Sequence, residues 1–337
     1  DPRIVYAGTG EMNFSGDSYY GCGMLRSTDG GATWTRLGAS VWDTPTGGAT
    51  IAKVHVDPAT AGATAAATLL VASSLGLYRS TNGGAAWALV LGGFVTDLVA
   101  DPTSGGAILY ASVGTPSASG SNGIYKSIDG GATWTRLTNG LPATDVGRIA
   151  LAHAGVAGTV IAAVQDGFGL GGNDGGLLGL WKTTDAGATW TQLAATGASC
   201  FTQCWYDIVV AIDPSNPSRV FFGGVALYRS LDGGASFTPV GGSVVHADQH
   251  AIVFDPRNPQ VVYSGNDGGI YRSPDGGATW TSLNNNLELT QFYGGLSVSA
   301  DLSRIMGGTQ DNGTVEYRGS VEWPRILGGD GGFTAIH

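Results

Sequence analysis

Six nine-residue segments of nearly one pattern recur along this chain, and they restrict its fold more than any other feature. They run Arg26–Trp34 (RSTDGGATW), Arg79–Trp87 (RSTNGGAAW), Lys126–Trp134 (KSIDGGATW), Lys182–Trp190 (KTTDAGATW), Arg229–Phe237 (RSLDGGASF) and Arg272–Trp280 (RSPDGGATW). The acidic or amide position falls at Asp29, Asn82, Asp129, Asp185, Asp232 and Asp275. The mean spacing is about 49 residues, the size of a four-stranded propeller blade. A chain of 337 residues holds close to seven such units. Each segment reads as a hairpin. Glycine supplies the positive φ of a tight turn, the Asp carboxylate accepts turn amides, and the Ser or Thr two positions earlier bonds the same turn. The closing Trp or Phe is expected to bury its ring and pin the hairpin. These acids are therefore structural.

Composition agrees. The chain has 57 glycines and 12% charged residues, but 42% hydrophobic residues in short runs. That pattern describes many short strands between tight turns, an all-β chain and not a disordered one. The net charge of −10 argues against nucleic acid, whose phosphates need clustered Lys and Arg. No apolar run approaches the length that spans a bilayer, so membrane insertion is not expected. The chain opens Asp1-Pro2-Arg3, which reads as a mature or trimmed product, compatible with secretion. Cys200 and Cys204 share one short segment and read as a local disulfide, with free thiols as the alternative; a metal pair would need two further ligands. Cys22 reads as a lone thiol.

The repeats match the pattern S/T-x-D-x-G-x-x-W/F and so resemble the Asp-box, or BNR, repeat. Families that carry it include sialidases, family 74 xyloglucan hydrolases, sortilin-type receptor domains and a photosystem assembly factor. The resemblance covers the whole chain for fold and implies one seven-bladed β-propeller over residues 1–337, with four-stranded antiparallel blades. In blade 2 the strands are expected at Ala52–Asp57, Leu69–Ser73, Gly76–Ser80 and Ala86–Val90, the inner one ended by Asp57-Pro58, as others are by Asp101-Pro102, Asp213-Pro214 and Asp255-Pro256. Blade 7 lacks a box but keeps the strand pattern at Gly294–Ser299, Arg304–Gly308, Thr314–Arg318 and Val321–Ile326. The chain starts on a second strand, Ile4–Gly8, so residues 333–337 are expected to complete blade 1 and close the ring. A piece of a longer chain is the competing reading.

In a propeller the boxes lie on one face. The loops between second and third strands and between successive blades lie on the other, around the channel mouth, where function usually sits. There the sequence converges Asp248 with His246 and His250, Asp267, Asp311, Asp330, and Glu11, Asn13 and Asp17 of the long Thr9–Gly21 loop. Asp248, Asp267, Asp311 and Asp330 are candidate acids; His246, His250, Glu11, Asp17, Trp205, Tyr206 and Tyr293 are candidate ligand contacts. Phe14, Tyr19, Tyr20, Trp42, Phe168 and Phe292 are further candidate sugar platforms. Each acid taken alone could serve only its own turn. His246, Asp248 and His250 alternate and could bind a metal or tie the inner strand to neighbouring turns; calcium would suit the seam oxygens, and no cofactor is required.

Two functions follow. The first is an extracytoplasmic binding or scaffolding propeller for a carbohydrate or protein, favoured by low charge and short loops. The second is a glycoside hydrolase using paired carboxylates at the seam of blades 6, 7 and 1. The run from His246 to Asp330 resembles bacterial secreted proteins labelled glycosyl-hydrolase-like or sortilin-like. Sialidase chemistry is not implied, since it resembles an arginine triad with a Tyr nucleophile and most arginines here precede boxes on the opposite face. Family 74 enzymes use a cleft between two propellers, and this chain has one.

Overall fold

The computed structural model describes residues 1–16, 18–45, 47–169, 174–285, 287, 290–294 and 296–336. Alternation of short apolar runs and glycine turns produces antiparallel sheets in strict chain order. Sheet 1 holds Val5–Gly10, Tyr20–Ser27 and Thr35–Leu37. Six four-stranded sheets follow, each running from an inner to an outer strand. Sheet 2 is Ile51–Val56, Leu69–Ser73, Gly76–Ser80 and Ala88–Leu91. The inner strands of sheets 3 to 7 are Val95–Ala100, Val146–His153, Val209–Asp213, Gln249–Phe254 and Ser297–Val298. A two-stranded pair, Asp43–Thr44 with Gly47–Gly48, follows the one-turn helix Ala39–Trp42. From sheet 2 to sheet 6 successive inner strands pack side by side, the arrangement of propeller blades.

Burial explains the residue pattern. Second strands such as Leu69–Ser73 and Leu109–Val113 are buried at every position, because both of their faces meet neighbouring sheets. Outer strands are short and exposed, as at Thr135–Arg136 and Thr191–Gln192. The Asp-Pro pairs end inner strands as Asx turns: Asp57, Asp101, Asp213 and Asp255 each accept the amide two residues on, at 2.7–2.9 Å.

The repeated hairpins share one hydrogen-bond pattern. In the first, Ser27 Oγ donates to Asp29 at 2.7 Å and accepts from the Gly31 amide at 2.8 Å, while Asp29 accepts the Thr33 amide at 2.9 Å. These bonds, led by the Thr33 hydroxyl, pull the exposed Asp29 carboxyl down to about 2; those from Thr189 and Thr279 do the same for Asp185 and Asp275. The hairpins also join the sheets. In four of the six segments the opening cation reaches the next sheet's hairpin: Arg26 donates to Gly83 O, Arg79 to Gly130 O, Lys126 to Ala186 O and Arg229 to Gly276 O, at 2.7–3.3 Å. The closing aromatic packs backwards. Trp87 lies edge-on to Trp42 at 5.5 Å, Trp280 edge-on to Phe221 at 6.4 Å, and Trp190 in the cluster with Tyr110. At Gly277 a Cβ would come within 2.5 Å of Phe221, so glycine is required by contact as well as by its φ of 87°.

Sheet 7 has no such hairpin, and both links fail around it. Trp34, whose preceding neighbour would be sheet 7, stays 43% exposed, against 4% for Trp190 and 7% for Trp280. Its expected burial is therefore not met. Residues 333–336, expected as the inner strand of sheet 1, form no strand. They run beside sheet 7, where Gly331 N donates to Thr309 O at 2.8 Å and Thr334 Oγ1 to Met306 O at 3.1 Å. These bonds occupy the segment at its neighbour in place of a ladder with Val5–Gly10. His337 and Gly295, within the expected strands, lie outside the described residues, as does Asp17.

Arg79→Met should lower stability by about 1–2 kcal/mol, the scale of one charge-assisted hydrogen bond. Arg272→Met, facing the sheet without a hairpin, should change it by under about 0.5 kcal/mol. Urea unfolding of both variants checks this, and equal losses would refute the directional linkage.

Candidate functional site

On the inner strands a β-bulge recurs near the end that faces the loops joining successive sheets. Register shifts fall between Ile51 and Lys53, Val95 and Asp97, Val146 and Ile149, and Gln249 and Ala251. A bulge re-aims side chains. Ala52, Thr96, Arg148 and His250 sit at these shifts and, with Lys53 and Asp97, line a central cavity of about 270 Å³. Lys53 Nζ lies 3.4 Å from Asp97. Asp97 in turn accepts the Leu151 amide of the next inner strand at 2.8 Å.

A second cavity of about 330 Å³ opens beside it, sharing Glu11, Asn13 and His250. Glu11, Asn13 and Tyr19 come from the long loop of sheet 1, Tyr206 from the connection into sheet 5, Asp267 from the turn after Val262–Asn266, Gln291 from the connection into sheet 7, and Gln310, Asp311 and Asn312 from the turn after Ile305–Thr309. Among the described residues no Lys or Arg lines it. The turns are held by other groups: Asn266 Oδ1 accepts Gly268 N at 3.1 Å and Asn312 Nδ2 donates to Gln310 O at 3.1 Å. The acids are thereby released to the cavity.

Asp267 is the centre of the polar network. Tyr206 donates its hydroxyl to Oδ2 at 2.8 Å, and His250 Nε2 lies 2.8 Å from Oδ1, so that nitrogen carries the proton. The Tyr206 and His250 rings meet edge-on at 4.8 Å. Burial, and then the bond to Asp267, pushes the Tyr206 phenol far up. Asp311 has a left-handed backbone, φ 57°, which Asp tolerates. Burial first, and then the Asp267 and Asp330 charges, push its carboxyl up to about 6.

Of the other sequence candidates, Asp330 is exposed and accepts the Asp311 amide at 2.8 Å, a turn-to-turn link outside the cavity lining. His246 Nε2 lies 3.2 Å from Asp311 O. Asp248 lies off the cavity against Asp207. Trp205 stacks at a tilt on Tyr206, centroids 5.8 Å apart. Tyr293 is outside the lining, its amide bonded to Gly308 O. Trp42, read as a surface platform, is fully buried in the core. Cys200 and Cys204 are disulfide-bonded, Cα atoms 5.3 Å apart, and Cys22 is free and exposed. Among the described residues no three His, Cys, Asp or Glu side chains converge to hold a metal ion.

Arg148 and Gln291 were not singled out from the sequence, and Asp207 was legible only as part of the loop after the cysteine pair, without a role. Arg148 donates to Tyr206 O at 2.5 Å, Trp205 O at 3.2 Å and Asn13 Oδ1 at 3.1 Å, and burial pushes its guanidinium down to about 10. A lone charge in the apolar run Val146–His153 was its only signal.

Solved propellers share this fold. A GH74 xyloglucanase from Xanthomonas campestris matches 96% of this chain and 64% of its own, with TM-score 0.55 and 19% identity. A GH74 enzyme from Niastella koreensis matches 96% and 55%, with TM-score 0.51 and 19% identity. YCF48 bound to D1 peptide matches 87% and 86%, with TM-score 0.52 and 15% identity. The chain thus spans between half and two thirds of the length of these two GH74 enzymes. No protein-family model and no curated protein matches it. No helix among the described residues is long and apolar enough to cross a membrane.

Asp311 binds a proton more tightly in the folded chain than the ordinary carboxyl value of about 3.9. Stability should therefore fall as pH rises from about 4 to about 6. After discounting for its solvent contact, the loss is about 1 kcal/mol. Asp311→Asn should remove that slope in a thermal-midpoint series; an unchanged slope would refute it.

Proposed function

We propose that this chain is a binding propeller whose ligand is a carbohydrate, held in the cavity between the sheet 1 loop and the turns of sheets 6 and 7. The observation that carries this reading is the convergence of three carboxylates, four side-chain amides and two tyrosines in one cavity. Amides and carboxylates bond sugar hydroxyls in both directions, and Tyr19, 73% exposed, offers a ring face. An acidic mouth without Lys or Arg disfavours acidic polysaccharides. Titration calorimetry against a neutral oligosaccharide panel should give binding that weakens at least tenfold in Asp267→Asn and in Tyr19→Ala. No binding to any member would refute the reading.

A second reading has one specific observation behind it. Asp311, held near neutral titration beside Asp267, is suited to donate a proton to a leaving sugar oxygen. Reducing-end release that vanishes in Asp311→Asn, with a basic limb near pH 6, would establish hydrolysis; the absence of release would leave binding alone.

We further propose that the repeated hairpins are Asp boxes and that the sheets make one seven-bladed ring, closed when residues 333–337 lie between sheets 7 and 1. Ser297 beside Thr334 is consistent with that placement. Deleting residues 331–337 should lower the thermal midpoint; an unchanged midpoint would argue against closure. The Cys200–Cys204 bond supports an oxidising, extracytoplasmic compartment.

A further inference from the structure

The disulfide loop ends in a buried acid that neither reading uses. Asp207 is fully buried, and among the described residues no other residue's N–H or O–H reaches either of its carboxyl oxygens or Oδ1 of Asp248. The two carboxyls meet each other. Two carboxylates in contact in a buried site cannot both stay ionised, so the contact requires one shared proton. Asp248 is brought there by a left-handed backbone, φ 61°, with its amide on Val225 O at 2.9 Å.

The contact joins two segments that both reach the cavity. Asp207 follows Tyr206, whose hydroxyl is on Asp267, and the loop behind it is tied by Cys200–Cys204. Asp248 lies two residues before His250, whose Nε2 is on the same carboxylate. We propose that Asp207 and Asp248 form a one-proton latch, which seats Tyr206 in the cavity while the proton is held and releases it when the proton is lost.

Other charges bear on the pair from each side. Arg148, on the inner strand of sheet 4, favours ionised Asp207; His250 and His246 favour ionised Asp248, and Asp267 opposes it. The Tyr228 phenol, from sheet 5, is raised by burial and then by Asp207. Burial, with the bond to Asp248 and its charge, outweighs Arg148 and pushes Asp207 up to about 9. A raised carboxyl value means that the folded state holds the proton more tightly. The latch is therefore closed at neutral pH and opens as pH rises through about 9. Once both groups are ionised, repulsion separates the segments and draws Tyr206 off Asp267.

The test needs no ligand, so its failure is independent of the carbohydrate reading. The fluorescence of Trp205, taken as wild type minus Trp205→Phe, is followed from pH 6 to pH 10. A single transition centred near pH 9 is expected in the wild type. It should be absent in Asp207→Asn, whose amide is a permanent donor to Asp248. A flat wild-type signal, or the same transition in Asp207→Asn, would overturn the latch. Should that variant fail to fold, Asp248→Asn supplies a permanent donor from the other side and must also lose the transition. As a second readout, the wild-type thermal midpoint should fall from pH 5 to pH 9 more steeply than that of either variant.

Discussion

The architecture depends on one reciprocal contact between neighbouring sheets. Arg26, Arg79, Lys126 and Arg229 each reach forward to the carbonyl that follows the next hairpin's acid, and closing aromatics such as Trp87 and Trp280 pack backward. The carboxylate makes both links accurate. By gathering the Thr amide and hydroxyl, it fixes the turn that aims the receiving carbonyl outward and the ring inward. A cation on a neutral carbonyl avoids the desolvation of a buried ion pair while still forming a charge-assisted bond. Four such bonds therefore join neighbouring sheets in a chain that is only 12% charged.

That contact has a limit, and the candidate site lies at the limit. Sheet 7 lacks the repeated hairpin, its Trp323 packs on Phe292 and Tyr317, Trp34 is left uncovered, and the inner strand of sheet 7 is only two residues long. Polar groups carry the interactions there instead. Arg304 and Arg318 both bond Glu316, which is fully buried, and hold its carboxyl low. The turns of sheets 6 and 7 are linked by His246 to Asp311 O and by Asn312 to Asp267 O. Loops joined by such directional bonds can present carboxylates and amides to a ligand.

What the sequence revealed divides along the same line. The hairpins were legible because their chemistry is local: carboxylate, hydroxyl, glycine and ring lie within nine residues, and two of the four strand spans expected in sheet 2 are met to the residue. The gathering of Asp267, Asp311, Glu11 and Tyr206 was legible more coarsely, from the propeller's alternation of loops between faces. The roles of Arg148 and Asp207 were not. They arise from a bulge and from a contact between residues 41 positions apart, and neither leaves a periodic mark. The inner strand of sheet 7 was overextended for a related reason. Its run pairs only at Ser297 and Val298, and Val298 and Leu296 are about half exposed.

The cavity's electrostatics follow from where its positive charge is placed. Arg148 lines the adjoining central cavity, its donors taken by two carbonyls and Asn13, so it fixes the loop without a hydrogen bond to Asp267 or Asp311 among the described residues. His250 supplies one N–H to Asp267, and its Nδ1 has no partner among the described residues. Burial, and then the charges of Asp267 and Asp330, raise the Asp311 carboxyl to about 6, so it still accepts hydrogen bonds as a carboxylate at neutral pH. Asp267 is already bonded by Tyr206 and His250, and it remains the acceptor about which the other groups are arranged. A ligand entering this cavity must therefore supply donors to Asp311 and acceptors to the amides without displacing Tyr206. An uncharged ring bearing several hydroxyls meets those demands, because each hydroxyl both donates and accepts. A carboxylate or sulfate would face Asp267 and Asp311 with no cation to offset it.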